Sequence, residues 1–231
     1  MKLLDEILSL IYPPRCAACD RLIENEGFCD NCLSNLQPIL KKRCFRCGLP
    51  KKECDCKNFV YHFDGITSPY LNDGTAQQAI YNFKFRKNFG CIKLFSANMA
   101  EYVKNAFEVE SIDLVCCVPS TKISINKRGF NQSEVLARQV AKELDKPFEC
   151  NLIVKKIGAI TQHHLNLTQR FSNVRNSFCV KSRLNGKTIL LVDDIKTTGA
   201  SLDECARQLK FAGASKVYCV TALISKGKHN T

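Results

Sequence analysis

Four closely spaced cysteine pairs crowd the first quarter of the chain: Cys16 and Cys19, Cys29 and Cys32, Cys44 and Cys47, Cys54 and Cys56. The first three are Cys-x2-Cys knuckles and the last is a shorter Cys-x-Cys. A knuckle aims two sulfurs at one centre, and two knuckles complete a tetrahedral Zn²⁺ site. Four pairs therefore supply two sites of four thiolates. Short loops close at lower entropic cost, which favours Cys16/Cys19 with Cys29/Cys32 and Cys44/Cys47 with Cys54/Cys56; a cross-braced pairing satisfies the same count. Gly48, directly after Cys47, suits a tight turn that points backbone N–H groups at the thiolates. Residues 15–58 are otherwise polar and Lys-rich, with almost nothing to build a hydrophobic core. Zinc, contributing on the order of 10 kcal/mol per site, would take the place of burial. Soft thiolates also accept an iron–sulfur cluster, and ordinary free thiols are the remaining alternative. All four ligands of each site are consumed, so this segment is expected to be structural or a binding platform.

Composition divides the chain at the same place. Of 15 cysteines, eight lie in residues 1–60, where the net charge is +2, whereas residues 61–231 carry +10. Two four-thiolate zinc sites would take the first segment to −2 and leave the second unchanged. A basic module of this kind suits phosphate, nucleic acid or another acidic partner. Hydrophobic residues at 45% and charged residues at 24% exclude wholesale disorder and collagen-like repeats. Leu3, Leu4, Ile7, Leu8 and Ile11 predict a short amphipathic helix over Met1–Tyr12, stopped by Pro13-Pro14 and expected to dock on the second module, with a membrane surface as the alternative. Asp5 and Glu6 interrupt it, and no run approaches the ~18–20 apolar residues of a spanning helix. The expected location is cytoplasmic, where thiols stay reduced.

After residue 60 strand-like and helix-like stretches alternate. Ile112–Val118, Thr188–Val192 and Val217–Ile224 read as buried strands; Gln132–Leu144 and Leu202–Ala212 read as helices. This alternation predicts an α/β fold with a doubly wound parallel sheet, whose ligand sits at the carboxyl ends of the strands. The stretch Ile189-Leu-Leu-Val-Asp-Asp-Ile-Lys-Thr-Thr-Gly-Ala-Ser201 carries the chemistry. An apolar strand delivers Asp193 and Asp194, and a hydroxyl-rich turn through Gly199 enters a helix. Backbone N–H groups and the Thr and Ser hydroxyls at a helix N-terminus form a phosphate site. Paired carboxylates beside it would accept hydrogen bonds from sugar hydroxyls or help organise Mg²⁺. Together they describe a ribose-5-phosphate ligand. No Gly-x-Gly and no Gly-x4-Gly-Lys string occurs, which removes the common nucleotide fingerprints.

This stretch resembles the phosphoribosyl-pyrophosphate (PRPP) motif of type I phosphoribosyltransferases. With the cysteine pairs, Tyr81–Phe85, Lys127–Gln132, and Thr161, Gln162, Leu165, Arg170, Asn173 and Val174, the chain is similar to the ComF family of competence proteins, ComFC type. The resemblance implies a double zinc ribbon over residues 1–60 and a phosphoribosyltransferase-like domain over 61–231. It further implies PRPP binding with Mg²⁺ through Asp193, Asp194, Lys196, Thr197, Thr198, Gly199, Ala200 and Ser201, the last five around the 5-phosphate. Ser120 and Thr121 would form the pyrophosphate loop, with Arg128 on the same group because a guanidinium grips phosphate oxygens in pairs. Residues 158–176 would be a mobile loop over the site. The implied role is handling of incoming single-stranded DNA in natural transformation beside a helicase-like partner, ComFA, at the inner face of the membrane. Two alternatives are an active transferase, joining a nucleobase to PRPP with release of pyrophosphate, and an assembly protein whose ribbons recruit a partner.

Smaller features complete the reading. Phe83–Phe89 interleaves aromatic and basic side chains, which suits single-stranded DNA; core packing of Phe83 and Phe85 with charges outward is the competing expectation. His163 and His164 are expected to be a surface loop pair. Cys91, Cys116, Cys117, Cys150, Cys179, Cys205 and Cys219 are mostly expected as small core residues. Gly90–Phe107 reads as a packing helix and Lys226–Thr231 as a basic tail.

Overall fold

The computed structural model describes residues 13–39, 42–54, 56, 60–156 and 174–226. The expected helix over Met1–Tyr12, His163-His164, most of the loop over 158–176 and all but the first residue of the tail lie outside them. Among the described residues, no helix is long and apolar enough to cross a membrane.

The centre is a parallel sheet of β1 (Gly65–Thr67), β2 (Tyr70–Leu71), β3 (Leu114–Cys117), β6 (Thr188–Lys196) and β7 (Lys216–Ile224), with β4 (Ile153–Lys155) and β5 (Phe178–Val180) forming a separate antiparallel pair. The spatial order is β1-β7-β6-β3, and β2 continues beside β7 where β1 stops. Side chains of β6 alternate between faces, as a strand buried on both sides requires. Leu190 and Val192 join the cluster covered by α2 (Gly74–Arg86), α3 (Ile92–Ala106) and α5 (Gln132–Glu143); Ile189 and Leu191 join the one covered by α6 (Ala200–Phe211). The sheet is therefore doubly wound. The helix after β3 and the helix after β6 go to opposite faces, so the carboxyl ends of these two neighbours open a crevice.

The strand β6 is four residues longer than its apolar run. Pairing with β7 carries on through Asp193↔Thr221, Ile195↔Leu223 and Lys196↔Ile224, whereas β3 leaves at Cys117, opposite Val192. Beyond Val192 the strand has a partner on one side only, and its two carboxylates stand at that opening.

Helix ends follow local chemistry. The Thr121 hydroxyl accepts the Ser124 N–H at 3.0 Å to start α4 (Lys122–Arg128), which ends on Gly129 in the left-handed region at φ 91°. The Asn131 side chain accepts the Ser133 N–H at 3.3 Å to start α5.

The cysteine segment, with its short helix α1 (Asp30–Ser34), is not poor in core as its composition suggested. Cys16, Ala17, Ala18, Cys32 and Leu36 are buried in the same cluster as α2 and α3. Ile39, Cys47, Leu49 and Cys56 pack against Ile224 at the end of β7. The join is hydrogen-bonded as well. The fully buried Asn82 of α2 donates to the carbonyls of Ala17 and Ala18 at 3.0 and 2.8 Å, and Ile66 N donates to the Phe45 carbonyl at 3.0 Å. Asn82→Ala leaves two buried carbonyls without that donor, a cost of about 1–3 kcal/mol. The urea midpoint should fall accordingly, and zinc release from the first knuckle to a chromogenic chelator should speed up.

Candidate functional site

Asp193 and Asp194 are held differently although they are adjacent on β6. Oδ1 of Asp193 accepts the Ser133 hydroxyl at 2.6 Å and the Asp194 N–H at 2.9 Å. Burial pushes its carboxyl up to about 7; the Asp194 charge adds to this, while the Ser133 hydroxyl and the Lys84 ammonium act against it. Asp194 is buried and its Oδ2 lies 2.7 Å from Lys84 Nζ, itself mostly covered. The pair thus combines one carboxylate in an ion pair with an ammonium and one whose carboxyl is raised toward neutrality by burial.

The turn after β6 faces the same crevice end of the strand. Thr197 is exposed, Gly199 is at φ 85°, and α6 begins at Ala200, whose N–H is 3.3 Å from the Thr198 hydroxyl. A Cβ on Gly199 would come within 3.1 Å of Lys196 Cε and of Tyr61 Cε1, so packing and conformation both require glycine there. The N-terminus of α6, with Ser201 in its first turn, is the kind of helix end suited to an anion; the Thr198 hydroxyl takes the Ala200 N–H. Lys196 packs against this turn from the inside: it is buried, its side chain passes Gly199, and its ammonium lies 5.5 Å from the Tyr61 ring centroid, toward the second cysteine cluster.

Across the crevice, past the end of β3, the Ser120 hydroxyl donates to Asn131 Oδ1 at 2.9 Å, and Thr121 caps α4. Arg128, at the last turn of α4, donates to Gln132 Oε1 at 2.9 Å and lies 5.2 Å from the Phe85 ring centroid. At the far border of the loop over 158–176, Asn176 N donates to Glu204 Oε1 at 2.9 Å and Arg207 bridges both residues.

Two contributors, Lys84 and Ser133, were missed. The core-packing expectation put the charges of Phe83–Phe89 outward and both phenylalanines in the core. Residues 83–86 are the last turn of α2, where Phe83 is buried, Phe85 is exposed and Lys84 turns to Asp194. Helical spacing held the signal: Lys84 follows the buried Ile80 by four residues.

The two cysteine groups are Cys16, Cys19, Cys29, Cys32 and Cys44, Cys47, Cys54, Cys56, each with its sulfurs within 4.8 Å of one another. A tetrahedron with Zn–S bonds of about 2.3 Å has edges of about 3.8 Å. The Cys19–Cys29 and Cys44–Cys56 sulfurs are 3.7 and 3.5 Å apart. Burial raises the Cys16 thiol, but the N–H groups of Cys29, Cys19 and Ala18 outweigh it and bring the value down to about 6. Burial and neighbouring sulfurs push Cys32 and Cys56 up to about 12. Only a central cation lets four such thiols ionise together, so the donor set fits zinc. Five of the seven later cysteines are buried, with Cys150 and Cys179 half-buried.

Comparison with known proteins places both parts. Residues 7–59 match the double zinc ribbon domain family, and residues 129–230 match the phosphoribosyl transferase domain family. The chain is therefore a double zinc ribbon joined to a phosphoribosyltransferase-like α/β domain. It is 25% identical to Competence protein F of Haemophilus influenzae, over 87% of this chain and 86% of that protein. It is 27% identical to Competence protein ComFC of Streptococcus pneumoniae, over 87% and 84%. DNA utilization protein YhgH of Salmonella typhi is 33% identical over 47% of this chain and 48% of its own length. The chain is thus similar to two competence proteins over most of its length.

Elemental analysis should find two zinc ions per chain, and Cys19→Ser should lower that to one. The raised Asp193 value carries a second expectation. Between its ordinary 3.8 and about 7, the folded chain keeps a proton that the unfolded chain has released. Stability from this group is therefore full below pH 4 and lost as pH rises through 7. Asp193→Asn should melt higher than the parent at pH 8, and the gap should close toward pH 4, as followed by thermal denaturation.

Proposed function

We propose that this chain binds a phosphorylated ribose, either PRPP with Mg²⁺ or a phosphorylated DNA end, at the carboxyl end of β6. On this reading it also holds single-stranded DNA along the adjoining face of α2, in the handling of incoming DNA. The observation that carries the reading is the meeting of two carboxylates with a helix N-terminus at one crevice. Phosphate oxygens would take the N–H groups and hydroxyls of Thr197, Thr198, Ala200 and Ser201 around Gly199, and the ribose hydroxyls would donate to Asp193 and Asp194. The loop of Ser120 and Thr121, with Arg128, would receive the second anionic group. Mg²⁺ supplies charge neutralisation of the pyrophosphate when it is bound.

The DNA half rests on α2 and α4. Tyr81 and Phe85 are about half exposed, with ring centroids 4.9 Å apart, and the Arg128 guanidinium sits over Phe85. Exposed Arg86 and Lys87 follow Phe85 at the end of α2, and exposed Lys127 precedes Arg128 on α4. Stacking faces interleaved with cations suit a single strand without sequence preference. The names of the relatives, competence and DNA utilization proteins, agree with such a partner, and a helicase-like protein of the ComFA kind would deliver it.

Calorimetry should detect PRPP binding in the presence of Mg²⁺, and the Asp193→Asn, Asp194→Asn double variant should abolish it. Binding to an oligothymidylate should weaken steeply with salt. Phe85→Ala should weaken it further, by roughly 5- to 150-fold at ~1–3 kcal/mol per stacked base, while leaving the PRPP heat intact. Salt-insensitive binding, or an unaffected double variant, would count against the respective half.

A further inference from the structure

We infer that Lys84 is a built-in cation of the β6 cradle, a ligand-positioning residue that does at Asp194 part of what a divalent metal ion does in such a site. The inference rests on the phosphoribosyl reading above and goes beyond it by naming a residue outside the motif. Lys84 arrives from α2, on the far side of the sequence from β6. Its Nζ lies 2.7 Å from Asp194 Oδ2, and its side chain is 17% exposed, against 11% for the carboxylate. An ammonium so placed neutralises one of two adjacent carboxylates, and its other two N–H donors remain for oxygens of a ligand. The neighbouring Asp193 also feels this charge.

The position of Lys84 is fixed rather than opportunistic. Two residues earlier, Asn82 anchors α2 to the carbonyls of Ala17 and Ala18. One residue earlier, Phe83 is fully buried against Phe89 and Phe130. The helix then ends on Lys87 in the left-handed conformation. A surface lysine would lose much of its pairing energy to solvent and side-chain entropy; this one is held by the helix that carries it. A crevice that admits an anionic sugar beside two carboxylates must neutralise part of their charge. Here one neutralising charge is covalently part of the chain and sits on Asp194. Binding of an anionic sugar should then depend only weakly on free Mg²⁺.

The test is PRPP titration of the full zinc-loaded chain by calorimetry, with 5-fold differences resolved, in buffer with Mg²⁺ and in buffer from which Mg²⁺ was removed by resin. A chelator is avoided because it would strip the cysteine sites. The native chain should lose less than about 5-fold in affinity without Mg²⁺. Lys84→Met should lose about 10-fold or more without Mg²⁺ and recover most of it when Mg²⁺ is added. Lys84→Arg, which keeps the charge, should restore metal-independent binding. This rescue separates a role in the site from a role in folding, since Lys84→Met also leaves the buried Asp194 without its partner and should lower the urea midpoint whether or not ligand binds, whereas recovery of affinity on adding Mg²⁺ requires a role in the site. Native binding that requires Mg²⁺, or Lys84→Met binding like the native chain in both buffers, would overturn the inference and leave the phosphoribosyl reading standing. No heat from the native chain in either buffer would remove that reading and the inference with it.

Discussion

The ladder between β6 and β7 is the constraint on which the rest of the molecule depends. It runs in register from Thr188↔Lys216 to Lys196↔Ile224, past the point where β3 ends. A strand with two neighbours buries its backbone; a strand with one leaves an edge. The chain places Asp193 and Asp194 where that change occurs, so the carboxylates are held by sheet hydrogen bonds on one side and face open space on the other. Burial and the Asp194 charge then raise the Asp193 value toward neutrality, a cost that a purely structural strand end has no reason to carry. The same ladder delivers the turn at Gly199 and the N-terminus of α6 to the crevice.

The ribbons bear on this crevice from two directions. The first knuckle holds α2 through Asn82, and α2 holds Lys84 against Asp194. The second packs on Ile224, the residue paired with Lys196 at the end of β6, and Tyr61 beside it donates to the Thr198 carbonyl at 3.4 Å. Metal binding by the eight cysteines therefore orders the surroundings of the site as well as the ribbons themselves. Four thiolates and one zinc ion carry net −2 per site. This places an acidic-to-neutral clip beside a module of net +10 and confines the anion-attracting field to the α/β part.

What was legible in the sequence was what is local in it. The apolar runs of β6 and β7 and the amphipathic stripe of α5 announce a parallel α/β sheet, and Asp193 through Ser201 arrive in one continuous stretch. The cysteine groups were legible because closing short loops favours neighbouring pairs, and the sulfurs are grouped in that way rather than cross-braced. What was hidden depends on segments distant in sequence. Ser133 reaches Asp193 across sixty residues, and Lys84 reaches Asp194 from the other module's neighbour helix. The length of β6 was hidden for the same reason: its last four residues are strand because β7 pairs with them, not because they are apolar. Composition misled on the ribbon segment, since Ala17, Ala18 and Leu36 are few but all lie against the larger core.

Lys84 also shows how the choice of period decides which side chain is noticed. Read with a period of two, Phe83 and Phe85 share a face and Lys84 opposes them. Read with a period of 3.6, Phe85 leaves the face of Phe83, and Lys84 falls in line with Ile80. The second reading separates the roles of the three residues: Phe83 anchors the helix, Phe85 offers a ring to solvent under Arg128, and Lys84 enters the crevice. One turn of α2 thus lies between the stacking surface and the carboxylates. A single strand resting on the first would bring its phosphorylated end toward the second, so the two halves of the proposed function are connected through this turn.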